Sequence, residues 1–163
     1  MHLSSPSVDP KSIAEIWLKK FSDAVASEDS HILASTIFLP DGWLRDILIF
    51  TWDGSRSLHG HEKIAAYLQN TLPSAKITNI SLDETPVFFP SFISLPVGQV
   101  LELSFRFETP IAFGRGIARL LAEESSETMK AFSVFVAMTD LKGHEESRCT
   151  KEVFGGHTIT WNE

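Results

Sequence analysis

The sequence has little of several features that mark specialised classes of protein. Cys149 is its single cysteine, which excludes an internal disulfide and leaves a cysteine-based zinc site without a second ligand. Lys and Arg number 14 against 21 Asp and Glu, a net charge of -7, and no basic cluster of the kind that binds nucleic acid is present. No apolar run approaches the roughly 20 residues of a membrane helix, and the first residues lack the pattern of a signal peptide. We therefore expect a cytoplasmic protein that binds neither nucleic acid nor membrane.

The chain has 163 residues, enough for one domain with a sizeable core. Residues 1–11 are rich in Ser and Pro and indicate a flexible arm. Residues 12–141 carry the apolar periodicity of a single domain. The charged residues 142–163 indicate a C-terminal extension or linker, or a docking surface for a further domain.

Three segments have helical periodicity. Ser12 and Glu15 have the spacing of a capping box, and the apolar residues after them predict a helix over about 13–27. A short second helix is predicted from Ser30 to about 38. A third is predicted over 61–72, and we expect Pro73 to end it.

Other segments have the apolar, aromatic and alternating character of strands. Residues 42–54, GWLRDILIFTWDG, predict the first strand, and 53–60 predict the loop after it. Four more strands are predicted over 76–84, 99–108, 116–124 and 129–141. Residues 86–98 contain three prolines and predict a long connection that laps over a cavity mouth.

This order of elements predicts the fold class. Helix, helix, strand, helix and four strands, without strand–helix alternation, favour an α+β fold. We expect a cone-shaped, strongly curved, mostly antiparallel sheet with three helices on its concave face. The open end of such a cone is an apolar pocket that suits a small molecule.

Asp46 lies within the first predicted strand, among large apolar residues. A buried charge costs several kcal/mol unless it is paired or hydrogen-bonded. One interpretation is a pocket-facing carboxyl whose pKa is raised by burial and which performs acid–base chemistry. The other is that Asp46 pairs with Arg45, Arg56 or a helix terminus and holds the strand in register.

The stretch PDGWLRD, residues 40–46, leads through a loop into LHGHEKIAAYLQ, residues 58–69. This arrangement resembles the nuclear transport factor 2-like, or SnoaL-like, superfamily, which includes ketosteroid isomerases, polyketide cyclases and non-catalytic binding domains. The resemblance implies a cystatin-like roll, a homodimer formed through the outer sheet face, and Asp46 in the position of a general base. Phe21 stands where the isomerases have Tyr, and 116–121 supply no carboxylic acid, so steroid isomerisation is disfavoured.

Residues 42–60 and 129–146 are also similar to the amino-terminal domain of fungal and bacterial flavin-containing monooxygenase-like proteins. There a dinucleotide-binding domain with a Gly-x-Gly-x-x-Gly fingerprint follows. The stretch FGRGIARL, residues 113–120, opens a predicted strand and is no such fingerprint. We therefore assign no cofactor to this chain, and the resemblance implies a flavoprotein domain in the same or another chain as a partner.

The candidate site consists of two polar residues and four aromatic ones. Asp46 is the candidate general acid or base, and His59 is a weaker catalytic candidate. The residues expected to contact a small apolar molecule are Phe21, Trp43, Trp52 and Phe105. His59 and His61 lack the spacing of a zinc protease motif, so no metal site is predicted.

Two functions follow from this reasoning. The first is a small-molecule-binding domain with an apolar pocket, with or without cofactor-free isomerisation, cyclisation or dehydration of an apolar carbonyl metabolite. The second is a non-catalytic accessory or dimerisation domain of a flavin-dependent monooxygenase-like protein.

Overall fold

The computed structural model describes residues 9–54, 56–123 and 128–146 of the chain. Three helices pack against one curved sheet of seven strands. The helices are α1 (Pro10–Ala26), α2 (Ser30–Ile37) and α3 (His61–Ala75). The strands are β1 (Phe38–Ile47), β2 (Arg56–His59), β3 (Thr78–Leu82), β4 (Ser91–Leu95), β5 (Gly98–Glu108), β6 (Ala112–Ala122) and β7 (Met129–Leu141). The predicted α+β fold class is confirmed.

The sheet is mixed, because one of its pairs is parallel. The strand order is β2-β1-β7-β6-β5-β3, and β4 pairs with β5 outside this path. The strand β1 runs parallel to β7, and the other pairs are antiparallel. The alternation predicted for β5 is present, since Leu101, Leu103, Phe105 and Phe107 are buried in the core and Arg106 is exposed. The inner sheet face and the three helices therefore share one apolar core.

The helices differ from the predictions at their ends. Asp9 caps α1 by accepting hydrogen bonds from the backbone N–H groups of Lys11 and Ser12. The predicted capping box at Ser12 is therefore wrong, and α1 includes the last two residues of the predicted arm. The helix α3 passes through Pro73 and ends at Ala75, because a proline in the last turn removes one hydrogen bond without ending the helix at once.

Three strand predictions also need correction. The strand β1 ends at Ile47, and Leu48, with φ of 65°, turns the chain out of the sheet. Residues 56–59, predicted as a loop, form β2. Residues 91–95, predicted as part of a connection, form β4, since two of the three prolines flank this edge strand instead of interrupting it.

Two glycines of the FGRGIARL stretch lie within β6 and give room to aromatic rings. A Cβ atom at Gly116 would overlap the ring of Phe105, and one at Gly114 would overlap the ring of Phe107. The rings of β5 thus lie across the backbone of β6 at both positions. The glycines serve packing, and the stretch forms no strand-to-helix turn of the kind that binds a dinucleotide.

Candidate functional site

Asp46 is fully buried, with 0% of its surface exposed. Because side chains alternate along β1, Leu44 and Asp46 face the interior while Trp43 and Arg45 face outward. Beyond Ile47 the chain folds back over the Asp46 carboxylate. Its Oδ1 accepts a hydrogen bond from the Ile49 N–H at 3.0 Å, and its Oδ2 accepts one from the Phe50 N–H at 3.2 Å. Asp side chains commonly fix turns in this way.

Tyr67 completes the hydrogen bonding of Asp46. Its hydroxyl donates to Asp46 Oδ2 at 2.8 Å and lies 3.2 Å from Thr51 Oγ1. Its ring meets the ring of Phe50 edge-on. Reasoning from the sequence missed Tyr67, although it is the single tyrosine of the chain and stands beside Leu68 on the apolar side of α3.

The electrostatics of the pair follow from burial. Burial raises the pKa of Asp46, and the hydrogen bonds from Tyr67 and the loop amides act in the opposite direction. Burial also raises the pKa of Tyr67 to about 12, so its hydroxyl keeps its proton at neutral pH. The arrangement acts as a clamp that holds residues 48–51 against β1 and α3; we call Asp46, Tyr67 and these residues the carboxylate clamp.

The ion-pair partners considered for Asp46 are not the ones observed. Arg56 lies opposite Asp46 in the β1–β2 ladder, but its Nε donates to Asp53 Oδ2 at 2.8 Å. Arg45 faces the other side of the sheet. Asp46 therefore holds local backbone through amide hydrogen bonds instead of through an ion pair.

Trp43 and His59 lie on the outer sheet face. They are cross-strand partners in β1 and β2, and their rings stack with centroids 4.4 Å apart. Trp43 is 43% exposed. The prediction that they share a pocket with Asp46 has to be corrected, because strand alternation places them on the opposite face.

Phe21 and Phe105 are core residues. They are 5% and 0% exposed, and their ring centroids are 5.3 Å apart. Trp17 stacks on Phe21 and contacts the same cluster. These large rings fill the interior of the cone where an open pocket was expected, so the structure places neither Phe21 nor Phe105 at a cavity wall with Asp46.

Trp52 alone of the four predicted contact residues borders an open cavity near Asp46. The cavity has a volume of about 280 Å³ and lies between residues 48–52, the end of α3 and residues 109–112. Trp52 is 67% exposed at its rim. The Asp46 carboxylate does not line this cavity, because the loop that it holds stands between them.

A second polar cluster lies on the outer sheet face, and no motif or spacing in the sequence predicts it. Asp83 is 2% exposed, and its carboxylate lies 3.0 Å from Arg106 Nη2 and 3.2 Å from Arg115 Nη2. Burial raises the pKa of Asp83, but hydrogen bonds from Thr85 and Arg106 outweigh burial and lower that pKa to about 2. Arg115 also stacks on the ring of Phe88. The cluster borders an outer groove of about 770 Å³.

Metal binding and membrane spanning find no support in residues 9–54, 56–123 and 128–146. No group of three or more His, Cys, Asp or Glu among those residues could hold a metal ion. No helix in the same ranges is long and apolar enough to cross a membrane. Cys149 lies outside the described residues.

Comparison with solved structures places this geometry in a known fold. The yeast Ubp3-associated protein Bre5 matches with a TM-score of 0.58 and 13% identity, over 82% of this chain and 99% of the other. A nuclear transport factor 2-like protein from Shewanella baltica matches with a TM-score of 0.57 and 11% identity, over 84% and 99%. The chain has the nuclear transport factor 2-like fold. A cystatin-like fold protein from Burkholderia xenovorans also matches, with a TM-score of 0.55 and 13% identity, over 81% and 93%.

The nuclear transport factor 2-like fold is shown by structure and not by sequence. Neither the family models nor the curated proteins gave a match to the chain. This fold serves enzymes, ligand-binding domains and assembly domains, so it does not by itself assign an activity. The similarity to flavin-containing monooxygenase-like proteins stays a prediction.

Proposed function

We propose that this chain is a non-catalytic binding domain of the nuclear transport factor 2-like fold that works by associating with proteins. The observation that carries the proposal is the closed environment of Asp46. A general base must come within hydrogen-bonding distance of the proton that it removes. The Asp46 carboxylate has no exposed surface, and it accepts hydrogen bonds from two backbone amides and from Tyr67.

The filled interior supports the same function. The rings of Trp17, Phe21 and Phe105 pack against one another where a cone-shaped enzyme would hold its substrate. Bre5, which shares the fold, is described as associated with the deubiquitinase Ubp3 and as its cofactor. A protein-binding role for this chain is consistent with that use of the fold.

The outer sheet face offers a surface for homodimerisation. Ile117 and Phe135 are paired neighbours on β6 and β7, half-buried, at the middle of this face. The Arg119–Glu102 ion pair, with 2.7 Å between Nε and Oε2, lies beside them. An apolar centre with a charged margin is the usual composition of a protein interface. We therefore place the homodimer contact on this face.

The proposal also includes the flavoprotein partner that the sequence resemblance implies. An accessory domain of a flavin-dependent monooxygenase-like protein in the cytoplasm would leave flavin and nicotinamide to another domain. The mass of the endogenous protein, measured by immunoblot, tests this part. A species near the 18.2 kDa of this chain would argue against it, and a species several times larger would support it.

Analytical ultracentrifugation at micromolar concentration tests the association. We expect the wild-type chain to sediment as a dimer and Phe135→Glu to sediment as a monomer. Trp52→Glu is the matched control, since Trp52 is exposed but lies at the cavity rim and not on the sheet face. A monomeric wild type, or a Phe135→Glu variant that stays dimeric, would contradict the placement of the homodimer contact.

A second candidate function rests on the cavity beside Trp52. Its walls include Leu48, Ile111 and Met138, which suit a small apolar molecule. The chemistry there would be cofactor-free isomerisation, cyclisation or dehydration of an apolar carbonyl compound. It would also require the carboxylate clamp to open. Turnover of such a compound that Asp46→Asn abolishes would favour this candidate over the non-catalytic one.

A further inference from the structure

An apolar groove lies between α1 and β4. It has a volume of about 590 Å³ and is lined by Ile13, Ile16, Trp17, Lys20, Phe92, Thr128 and Met129. Ile16 is 60% exposed and Phe92 is 37% exposed, although both are large apolar side chains. Contiguous apolar exposure of this kind marks binding surfaces.

The strand that borders this groove has an unpaired edge. Within the described ranges, β4 pairs with β5 and with no other strand. In an antiparallel ladder, alternate residues direct their backbone N–H and C=O groups away from the partner strand. The outer edge of β4 therefore presents backbone donors and acceptors directly beside the groove, and such an edge accepts an added strand.

The groove also carries a positive charge. The Lys20 side chain lines it and forms no hydrogen bond or ion pair with any residue in the described ranges. By contrast, the neighbouring Lys19 pairs with Asp23 on the exposed side of α1, with 2.7 Å between Nζ and Oδ2. A ligand with a carboxylate near its apolar groups would pair with Lys20 at the groove.

We propose that β4 and this groove bind an extended peptide segment of a partner protein, which adds to the β4 edge as a strand. Alternate apolar side chains of the peptide contact Ile16 and Phe92, and an acidic side chain contacts Lys20. The inference rests on the proposed function, because it names one surface and one class of partner for a protein-binding domain.

A peptide fits these features better than a second copy of the chain does. The strand β4, Ser91–Leu95, contains no Asp or Glu, so a second copy of β4 added to this edge would offer Lys20 no carboxylate. Pro90 and Pro96 flank β4 and limit the ladder to a short segment, which suits a peptide motif.

Selection from a phage-displayed library of random peptides of about twelve residues tests the proposal. We expect enriched sequences in which apolar residues alternate with polar ones and which contain Asp or Glu.

Calorimetry measures the effect of single substitutions on peptide binding. Synthetic versions of the selected peptides are titrated into the wild type, Ile16→Asp and the matched control Ile32→Asp. Ile32 is also an exposed helical isoleucine, at 50%, but lies on α2 outside the groove. We expect Ile16→Asp to weaken binding at least about tenfold and Ile32→Asp to leave it within about twofold.

Hydrogen exchange locates the bound peptide independently of the variants. We expect bound peptide to slow amide exchange within residues 91–95.

Failure to enrich peptides, or equal effects of the two isoleucine variants, would overturn the proposal. Protection of residues 91–95 in the free protein that rises with concentration would assign the edge to a second copy. Protection that is lost when residues 1–8 are deleted would assign it to the chain itself. The Phe135→Glu result is separate from these outcomes, so the proposed function can stand while the groove proposal fails.

Discussion

Replacement of Asp46 separates a structural carboxylate from a catalytic one. Three donors meet this side chain: the N–H groups of Ile49 and Phe50 and the hydroxyl of Tyr67. A buried donor that loses its acceptor costs about 1–3 kcal/mol. Phe50 and Tyr67 are partly exposed, so water replaces some of what they lose. We therefore expect Asp46→Ala to lower the free energy of unfolding by about 3–6 kcal/mol.

Asp46→Asn is a milder test of the same clamp. The amide keeps one acceptor oxygen and loses the charge, so we expect a loss of about 1–3 kcal/mol. Urea denaturation followed by tryptophan fluorescence measures it. Asp53→Asn is the matched control, because Asp53 pairs with Arg56 at the exposed surface, where an ion pair contributes about 1 kcal/mol or less.

The contribution of Asp46 to folding stability depends on pH with a definite sign. Burial raises the pKa of Asp46 in the folded state above its unfolded value of about 3.9. Its contribution to stability is therefore complete below the unfolded pKa and declines as pH rises through the folded pKa. We expect the stability difference between wild type and Asp46→Asn to be larger near pH 4 than near pH 7.

One result would refute this reasoning. A catalytic carboxylate in a strained site is often neutral or unfavourable for stability, so its replacement leaves the protein as stable as before or more so. If Asp46→Ala and Asp46→Asn both unfold at the same urea concentration as Asp53→Asn, Asp46 does not hold the loop. The interpretation of Asp46 as a catalytic acid or base would then be favoured.

Three further substitutions test other parts of the fold. Tyr67→Phe should destabilise by about 1–2 kcal/mol in urea denaturation and, when combined with Asp46→Asn, should add less than its full effect. Gly116→Ala should destabilise by about 1–3 kcal/mol because its Cβ meets the ring of Phe105, while Gly54→Ala, where no atom lies within 4 Å, should be nearly neutral. Asp83→Asn should remove about 2 kcal/mol at neutral pH, since the pKa of Asp83 is lowered to about 2; this difference should vanish as pH falls from about 4 towards 2, and a constant difference would contradict the ion-pair account.

The fold was predictable because the periodicity of its main elements is local. The helices α1 and α2 and the strand β5 follow from apolar spacing that tertiary contacts did not override. The two missed strands are short edge elements, and their pairing is decided elsewhere in the chain. The strand β4 exists because β5 extends beyond β3 and offers it a partner, which the prolines of 86–98 concealed.

The candidate site was less predictable because it depends on contacts between distant residues. Asp46 was found from its apolar surroundings, but its partners are amides three and four residues later and a hydroxyl on α3. Nothing in the spacing of Asp46 and Tyr67 indicates that they meet. The outward direction of Trp43 was predictable, because an inward-facing Asp46 places Trp43, three residues earlier on the same strand, on the opposite sheet face.

The position of β7 in the sheet has a consequence for biosynthesis. This strand comes last among the described elements, yet it lies between β1 and β6, and Trp43 of β1 pairs with Ser133 of β7. During synthesis on the ribosome, β1 has no β7 to pair with until β7 has emerged. Until then the apolar faces of β1 and of the helices before it stay exposed. Pairing over so long a loop is slow to form and favours aggregation before it does. We therefore expect the nascent chain to be most prone to aggregation just before β7 leaves the exit tunnel.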